Sequence, residues 1–452
     1  MTMTAQVRSV PSIVTELPGP RARAHIEFDH AWTSPSLPRA CPLVPVRGEG
    51  CTIEDIDGNV FLDFAAGIAV NSTGHAHPRV VAAIAAQAAE LIHFSASDFY
   101  LPIYARAAER LARIAPMRGP NRVFIGNSGA EAVEAGLKLA RFHTRRPNIV
   151  AFLGAFHGRT MGAVSLTASK AKYHAHFGPL LPGVYHVPFG SVGLDELEQR
   201  VFKRLMPAEE FAAVIVEPIQ GEGGYVVPDT AFFPRLREIC DRHGILLIAD
   251  EVQSGAGRTG KMWAIEHFGV EPDILLTAKG IASGMPIGAM IARADVMSWT
   301  TGSHGSTFGC NPVALAALME TIALLEGGLI ANAAERGDQA LRGLRPLLEH
   351  HPDLVRDVRG KGLMIGIQFD SGDTAEAVQM QAFDRGLLVL EAGDDCVRMS
   401  PPLVVTAEEI ATAVRILTES VAHVAGHRRE DVDEVERASR AGLIREEFGT
   451  SM

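Results

Sequence analysis

ILLIADEVQSGAGRTGKMWAIEHFGVEPDILLTAK, residues 245–279, contains two short apolar runs that each lead to a side chain able to do chemistry. The first, 246–249, runs directly into Asp250 and Glu251; the second, 274–276, stops just short of Lys279. Short apolar runs bounded by polar and turn residues read as buried strands. The spacing therefore offers an acid and an amine at the ends of two neighbouring strands. Taken alone, Asp250 could equally cap a loop and Lys279 be a surface lysine, so the surrounding chain has to decide.

Outward from this stretch, amphipathic helices expected over 80–92, 104–115 and 130–143 alternate with apolar strands expected at 123–125, 149–152 and 213–216. Such alternation predicts an α/β domain over 79–325, with a mostly parallel sheet covered on both faces. Ligands of such sheets bind beyond the carboxyl ends of the strands, the edge on which Asp250 and Lys279 fall. Residues 1–20, punctuated by Pro11, Pro18, Gly19 and Pro20, read as a flexible arm. In 21–78 the alternation CTIEDIDGNVFLDF around Asp57 and Gly58 predicts a β-hairpin. A helix through Leu348, then short strands at 360–368, 386–390 and 396–399, predicts a smaller α+β domain over 326–424, to which 21–78 contributes. The remainder, 425–452, is highly charged and reads as a solvated helix or loosely docked extension.

Composition narrows the class of function. With 452 residues, 47% of them hydrophobic and 21% charged, the chain can bury a large core and divide into domains. A net charge of -11 without a basic run argues against nucleic acid and for small-molecule chemistry. The five cysteines form no C-x-x-C pair and no Cys/His spacing suited to zinc, so neither disulfides nor a metal is expected. Without a signal-type apolar segment near the N-terminus or a long uncharged apolar run, a cytoplasmic protein with no membrane partner is expected. Arginines among Ser and Thr near the N-terminus keep an organelle leader as the minor alternative.

Three further segments carry chemistry, and a fourth only imitates it. Gly126-Asn-Ser128-Gly129-Ala130-Glu131 lies between a strand and a helix, where helix-terminal amides and the Ser128 hydroxyl could hold a phosphate; an ordinary N-cap is the plain reading. Alanine at 130 breaks the Gly-x-Ser-x-Gly pattern of a nucleophilic serine. Gly255 to Met262 imitates both a P-loop and a dinucleotide fingerprint. Met262 stands where magnesium binding needs Ser or Thr, and 250–254 separate the glycines from their strand, so both are rejected. EPIQGEGG, 217–224, brings two carboxylates and a flexible turn to the same edge, and FHGRT, 156–160, brings an aromatic face and a guanidinium. An amine, a carboxylate for a ring nitrogen, a ring-stacking phenylalanine and a phosphate loop are together what a pyridoxal phosphate enzyme requires.

These segments resemble the class III aminotransferases, a subgroup of the fold-type-I pyridoxal phosphate enzymes that includes 4-aminobutyrate and acetylornithine aminotransferases. The resemblance spans about residues 35–420 and rests on NSGAEA at 127–132, FHGRT at 156–160, EPIQGEGG at 217–224, ADEVQSGAGRTG at 249–260, AKGI at 278–281 and STFGCNP at 306–312. It implies a large domain with a mostly parallel seven-stranded sheet flanked by helices, and a smaller α+β domain. It also implies pyridoxal 5'-phosphate as cofactor, with Lys279 as Schiff-base lysine and Asp250 as partner of the ring nitrogen. Phe156 and Val252 are then expected on the ring faces, Gln253 at the ring hydroxyl, and Ser128, Gly129 and Ala130 at the phosphate. Thr307 is expected at the phosphate of a neighbouring subunit, which implies a homodimer or dimer of dimers. Cys310 departs from the small residue usual at its position.

For the reaction, the resemblance implies ping-pong transfer of an amino group from an ω-amino acid to a 2-oxo acid, 2-oxoglutarate above all. Arg159 would be the carboxylate partner always available, and Arg398 the one hidden by Glu222 when the donor has no carboxylate beside its amine. Ile68 and the Gln253-Ser254 pair lean towards 4-aminobutyrate as donor. Acetylornithine or ornithine, or amino-acid racemisation with the same cofactor, remain as alternatives, with Glu222 counting against racemisation.

Overall fold

A computed structural model of the chain describes the backbone of residues 10–440 and the side chains to residue 428. Of the expected arm and extension, residues 1–9 and 441–452 lie outside the described residues.

Three short strands near the N-terminus, β1 (Pro45–Glu49), β2 (Thr52–Asp55) and β3 (Val60–Asp63), form an antiparallel meander. The β2–β3 hairpin turns at Gly58, whose φ of 89° suits glycine. The chain before it is already anchored: Ser12 exchanges backbone hydrogen bonds with Val60, and Asn59 Oδ1 accepts from Val14 N. The flexible arm expected over 1–20 is thus tied down from Ser12 onward.

The central sheet holds β4 (Asn121–Gly126), β5 (Asn148–Phe152), β6 (Val184–Val187), β7 (Phe211–Val216), β8 (Leu246–Asp250), β9 (Ile274–Thr277) and β10 (Gly288–Arg293). Its order is β4-β10-β9-β8-β7-β5-β6, seven strands of which β10 alone runs against the rest. The inner strands are apolar almost throughout because both faces are covered, whereas the edge strands β4 and β6 are only partly buried. On β7, Val214 and Val216 pack into one core cluster while Ala213 and Ile215 pack into the other; β8 divides Leu247 from Leu246 and Ile248 likewise. Helices Pro78–Glu90, Pro102–Ile114 and Gly129–Thr144 match the expected helices to within a few residues. Strands β6 and β10 were not foreseen.

The third sheet contains β11 (Val355–Lys361), β12 (Met364–Phe369), β14 (Leu390–Ala392) and β15 (Cys396–Met399), in the order β11-β12-β15-β14. The single strand expected over 360–368 is instead the turn and second arm of the β11–β12 hairpin, bent at Gly362 with φ 53°. Strand β13 (Leu387–Leu388) lies outside this sheet and pairs in parallel with β3, so segments more than 300 residues apart share a sheet. The boundary placed at residue 425 falls inside one helix, Ala407–Arg440, where Arg428 reaches Asp370.

Candidate active site

The carboxyl ends of β4, β5, β7, β8 and β9 open onto a cavity of about 400 Å³. Its lining includes Ser128, Gly129, Ala130, Phe156, Arg159, Asp250, Val252, Gln253 and Lys279, nine of the residues singled out in the sequence, brought together from positions 128 to 279.

Asp250 closes β8 with its carboxylate buried. One oxygen lies 2.7 Å from His157 Nδ1 and the other accepts from Val252 N at 3.1 Å. Burial opposes charge on His157, but the hydrogen bond and the charge of Asp250, with Glu217 adding, outweigh it and raise the histidine pKa. The neighbouring Glu251 turns the other way, into the protein, where it accepts from Ser254 Oγ and Ile265 N, both at 2.7 Å. Burial pushes its pKa up to about 7. Of the two adjacent acids, one faces the cavity and the other is structural.

Lys279 follows β9 at the start of a short 3₁₀ turn, with φ 46°, a region costly for a residue with a Cβ and typical of functional sites when it persists. Burial depresses its pKa, with Arg398 acting in the same direction and Glu222, Asp250 and Glu217 opposing. A lowered amine pKa enlarges the unprotonated fraction at neutral pH, the form that acts as nucleophile or base.

Ser128 caps the helix Gly129–Thr144: its Oγ accepts from Glu131 N at 3.2 Å and lies 3.1 Å from the Glu131 carboxylate. Ser128 is thus the N-cap of this helix and at the same time lines the cavity, beside the amides of the first turn. A Cβ on Gly129 would come 2.9 Å from Val252 Cγ1, so the floor between this loop and Val252 closes only over glycine. Gln253 is buried and held by Tyr225, whose hydroxyl donates to its Oε1 at 3.1 Å. Glu217, at the end of β7, accepts from Phe156 N and Gly221 N at 3.0 Å each and so ties two loops together. Burial, with the Asp250 charge adding and His157 opposing, pushes it up to about 7.

Arg159 is exposed at the cavity mouth, its guanidinium 4.3 Å from the centroid of Tyr173, which meets Phe156 edge-on. Glu222 and Arg398 form an ion pair off the lining of the cavity, the arginine 5% exposed. Ile68 and Thr307 are both exposed and do not line the cavity. His157, Glu217, Tyr173 and Tyr225 went unassigned in the sequence. Only His157 and Glu217 had a signal there, as members of FHGRT and EPIQGEGG.

An aromatic face, an apolar face, a carboxylate, an amide, helix-terminal amides and a desolvated amine suit a flat, phosphorylated pyridine aldehyde, and the tight Gly129 floor matches a ligand approached by backbone. The aminotransferase class-III family model matches residues 35–421. The chain belongs to the class III aminotransferases. Its cofactor is pyridoxal 5'-phosphate. It is 43% identical over 393 residues to the acetylornithine aminotransferase of Thermosynechococcus vestitus, covering 85% of this chain and 94% of that one. It is 39% identical over 440 residues to the alanine/serine racemase of Pyrococcus horikoshii, covering 91% and 92%. The ornithine aminotransferase of Toxoplasma gondii shares its fold with a TM-score of 0.83 at 33% identity, over 90% of this chain and 96% of that one.

Proposed function

We propose that this class III aminotransferase moves the terminal amino group of an ornithine-type ω-amino acid to 2-oxoglutarate. The observation that carries the reading is the closed pair of Glu222 and Arg398. Burial alone would raise the Glu222 pKa, but the charge and hydrogen bond of Arg398 win and hold it low, so the arginine is neutralised. A donor whose amine has no adjacent carboxylate meets a closed pair, whereas glutamate needs Arg398 released. Acetylornithine and ornithine aminotransferases among the similar proteins support this donor class over 4-aminobutyrate. The sequence cues for 4-aminobutyrate are weak in the fold, since Ser254 is spent on Glu251 and Ile68 lies off the cavity.

When bound, pyridoxal phosphate supplies an electron sink for the carbanion left as the substrate loses the proton beside its nitrogen. Lys279 Nζ takes that proton and returns it, its lowered pKa keeping it available as a base. Asp250 would hold a proton on the ring nitrogen, with His157 fixing the carboxylate from behind. Gly129 and Ala130 would hold the phosphate, Phe156 and Val252 the two ring faces, and Gln253 the ring hydroxyl. Arg159 at the mouth takes the far carboxylate of either substrate.

The working unit is a homodimer in which Thr307 of one copy reaches the phosphate site of the other. Supporting this, Thr307 and Phe308 are exposed beside an apolar hollow that Ile92 and Phe308 line and that shares Asn127, Met285 and Pro286 with the cavity rim. A cytoplasmic location is part of the same proposal.

The test is to incubate the holoenzyme with ornithine, acetylornithine, 4-aminobutyrate, alanine and serine, with and without 2-oxoglutarate. Glutamate formation and loss of optical activity are followed together. Glutamate from ornithine or acetylornithine, strictly dependent on 2-oxoglutarate, is expected; racemisation of alanine or serine without an oxo acid would overturn the proposal.

A further inference from the structure

The residues that surround the Glu222 and Arg398 pair lie in one row across the third sheet. The β11–β12 register sets Arg359 opposite Gly366, and the β12–β15 register sets Gly366 opposite Arg398. Opposed residues of antiparallel strands project to the same face, so the two guanidinium groups rise on one side, two strand spacings or about 10 Å apart at the backbone. Between them is a residue with no side chain.

Segment 222–225 lies across that gap. Arg359 donates to Gly224 O from Nε and Nη2 at 3.1 and 2.6 Å, and from Nε to Tyr225 O at 3.2 Å. Arg398 donates from Nη1 to the Glu222 carboxylate at the other end. Gly393 N fixes Glu222 O at 2.7 Å. A Cβ on Gly366 would stand 3.0 Å from Cys396 Sγ on the neighbouring strand and 3.2 Å from both Gly224 O and Tyr225 Cβ, so the segment and Cys396 close together over the bare glycine. Arg359 is itself braced, donating from Nη1 to Gln368 Oε1 at 2.7 Å and Asp357 Oδ2 at 3.0 Å. It lines a separate hollow of about 440 Å³ behind the loop and not the cavity at Lys279.

We infer that Arg359 and Gly366 form a saddle that sets the position of the Glu222 carboxylate, and through it how readily Arg398 is released to a substrate. This rests on the pairing proposed above. Arg359 is a positioning residue that touches neither substrate nor cofactor. A forked guanidinium can hold two successive carbonyls and two braces at once; a lysine, a point donor on a flexible stem, cannot. The saddle therefore tunes the enzyme between a donor with no carboxylate beside its amine and a dicarboxylate acceptor.

The experiment measures binding of glutarate and of pentanoate to the holoenzyme by calorimetry. Glutarate has a second carboxylate that needs a free Arg398; pentanoate does not. Glu222→Gln should strengthen glutarate relative to pentanoate about tenfold. Arg359→Lys and Gly366→Ala should each shift the same ratio in the same direction, by about threefold or more. The Arg359→Lys shift should vanish in the Glu222→Gln background. An unshifted ratio in Arg359→Lys, equal weakening of both ligands, or an undiminished shift in the double variant overturns the saddle while the Glu222 effect leaves the pairing standing. No shift in Glu222→Gln itself overturns the pairing, and the saddle with it.

Discussion

The carboxyl edge of the central sheet and the face of the third sheet bring their side chains to the substrate in different ways. On the central sheet the cavity residues sit in the loops where strands end, and parallel topology delivers Ser128, Phe156, Asp250 and Lys279 to one place. On the third sheet Arg398 stands within β15, and its partner Glu222 comes from a loop after β7 of the other sheet. The first arrangement is internal to one sheet. The second spans two sheets, and in the proposed function it is the part that meets donor and acceptor differently.

The largest effect is expected at Lys279. Lys279→Ala should lower both half-reactions equally, by about 10⁴-fold, since the base is common to them. Single-turnover kinetics with an ω-amine and with glutamate check this; unequal losses would remove the contrast. Next is Glu222→Ala, which leaves a buried Arg398 unpaired, a change that costs roughly 3 to 5 kcal/mol for a fully buried pair and less here because Glu222 is partly exposed. The ω-amine half-reaction should fall at least about tenfold further than the glutamate half-reaction, and equal losses in the same assay contradict the account. Gly129→Ala should weaken pyridoxal phosphate retention about tenfold, because the added methyl must displace Val252. Fluorescence titration of the cofactor reads this, and unchanged affinity would show that the phosphate loop is not held so tightly.

At Glu217 the expected effect is on stability and not on the reaction. Its folded pKa, about 7, lies above its ordinary 4.5, so between these values the folded protein keeps a proton that the unfolded chain has released. Its contribution to stability is full below 4.5 and is lost as pH rises towards 7. Glu251 acts in the same sense. Glu217→Gln should therefore flatten the fall in stability between pH 5 and 7.5 by about 1 to 3 kcal/mol in urea unfolding. An unchanged slope would mean that Glu217 is not desolvated in its place between the two loops.

The same contrast explains what could be read from the chain. Strands β5, β7, β8 and β9 are visible because burial on both faces makes them nearly continuous apolar runs, and the edge strand β4 because its short run Val123 to Ile125 precedes an amphipathic helix. Strand β6, VYHV, mixes a polar residue into a short run, and β10 follows β9 without an intervening long helix, so neither fitted the alternation. The strand expected over 360–368 takes in the turn at Gly362 and misses the first arm of the hairpin, because β11, VRDVRGK, is too polar to read as a strand. Lys279, Asp250 and the phosphate loop were legible as motif residues at strand ends. The link from His157 to Asp250 joins residues 93 apart, and that from Arg359 to Gly224 joins residues 135 apart. Tertiary register alone makes both, and no local pattern announces them. Ile68 and Thr307 stay outside the cavity of one chain; for Thr307 the proposed second copy would complete the site, whereas Ile68 owes its mention to the resemblance alone.

Everything rests on the amine at the end of β9 being the cofactor's anchor. Borohydride reduction of the holoenzyme followed by peptide mass mapping tests it most directly. A pyridoxyl group on Lys279 alone is the result this account predicts; a label on Lys138 or Lys170, or on no lysine, would contradict it.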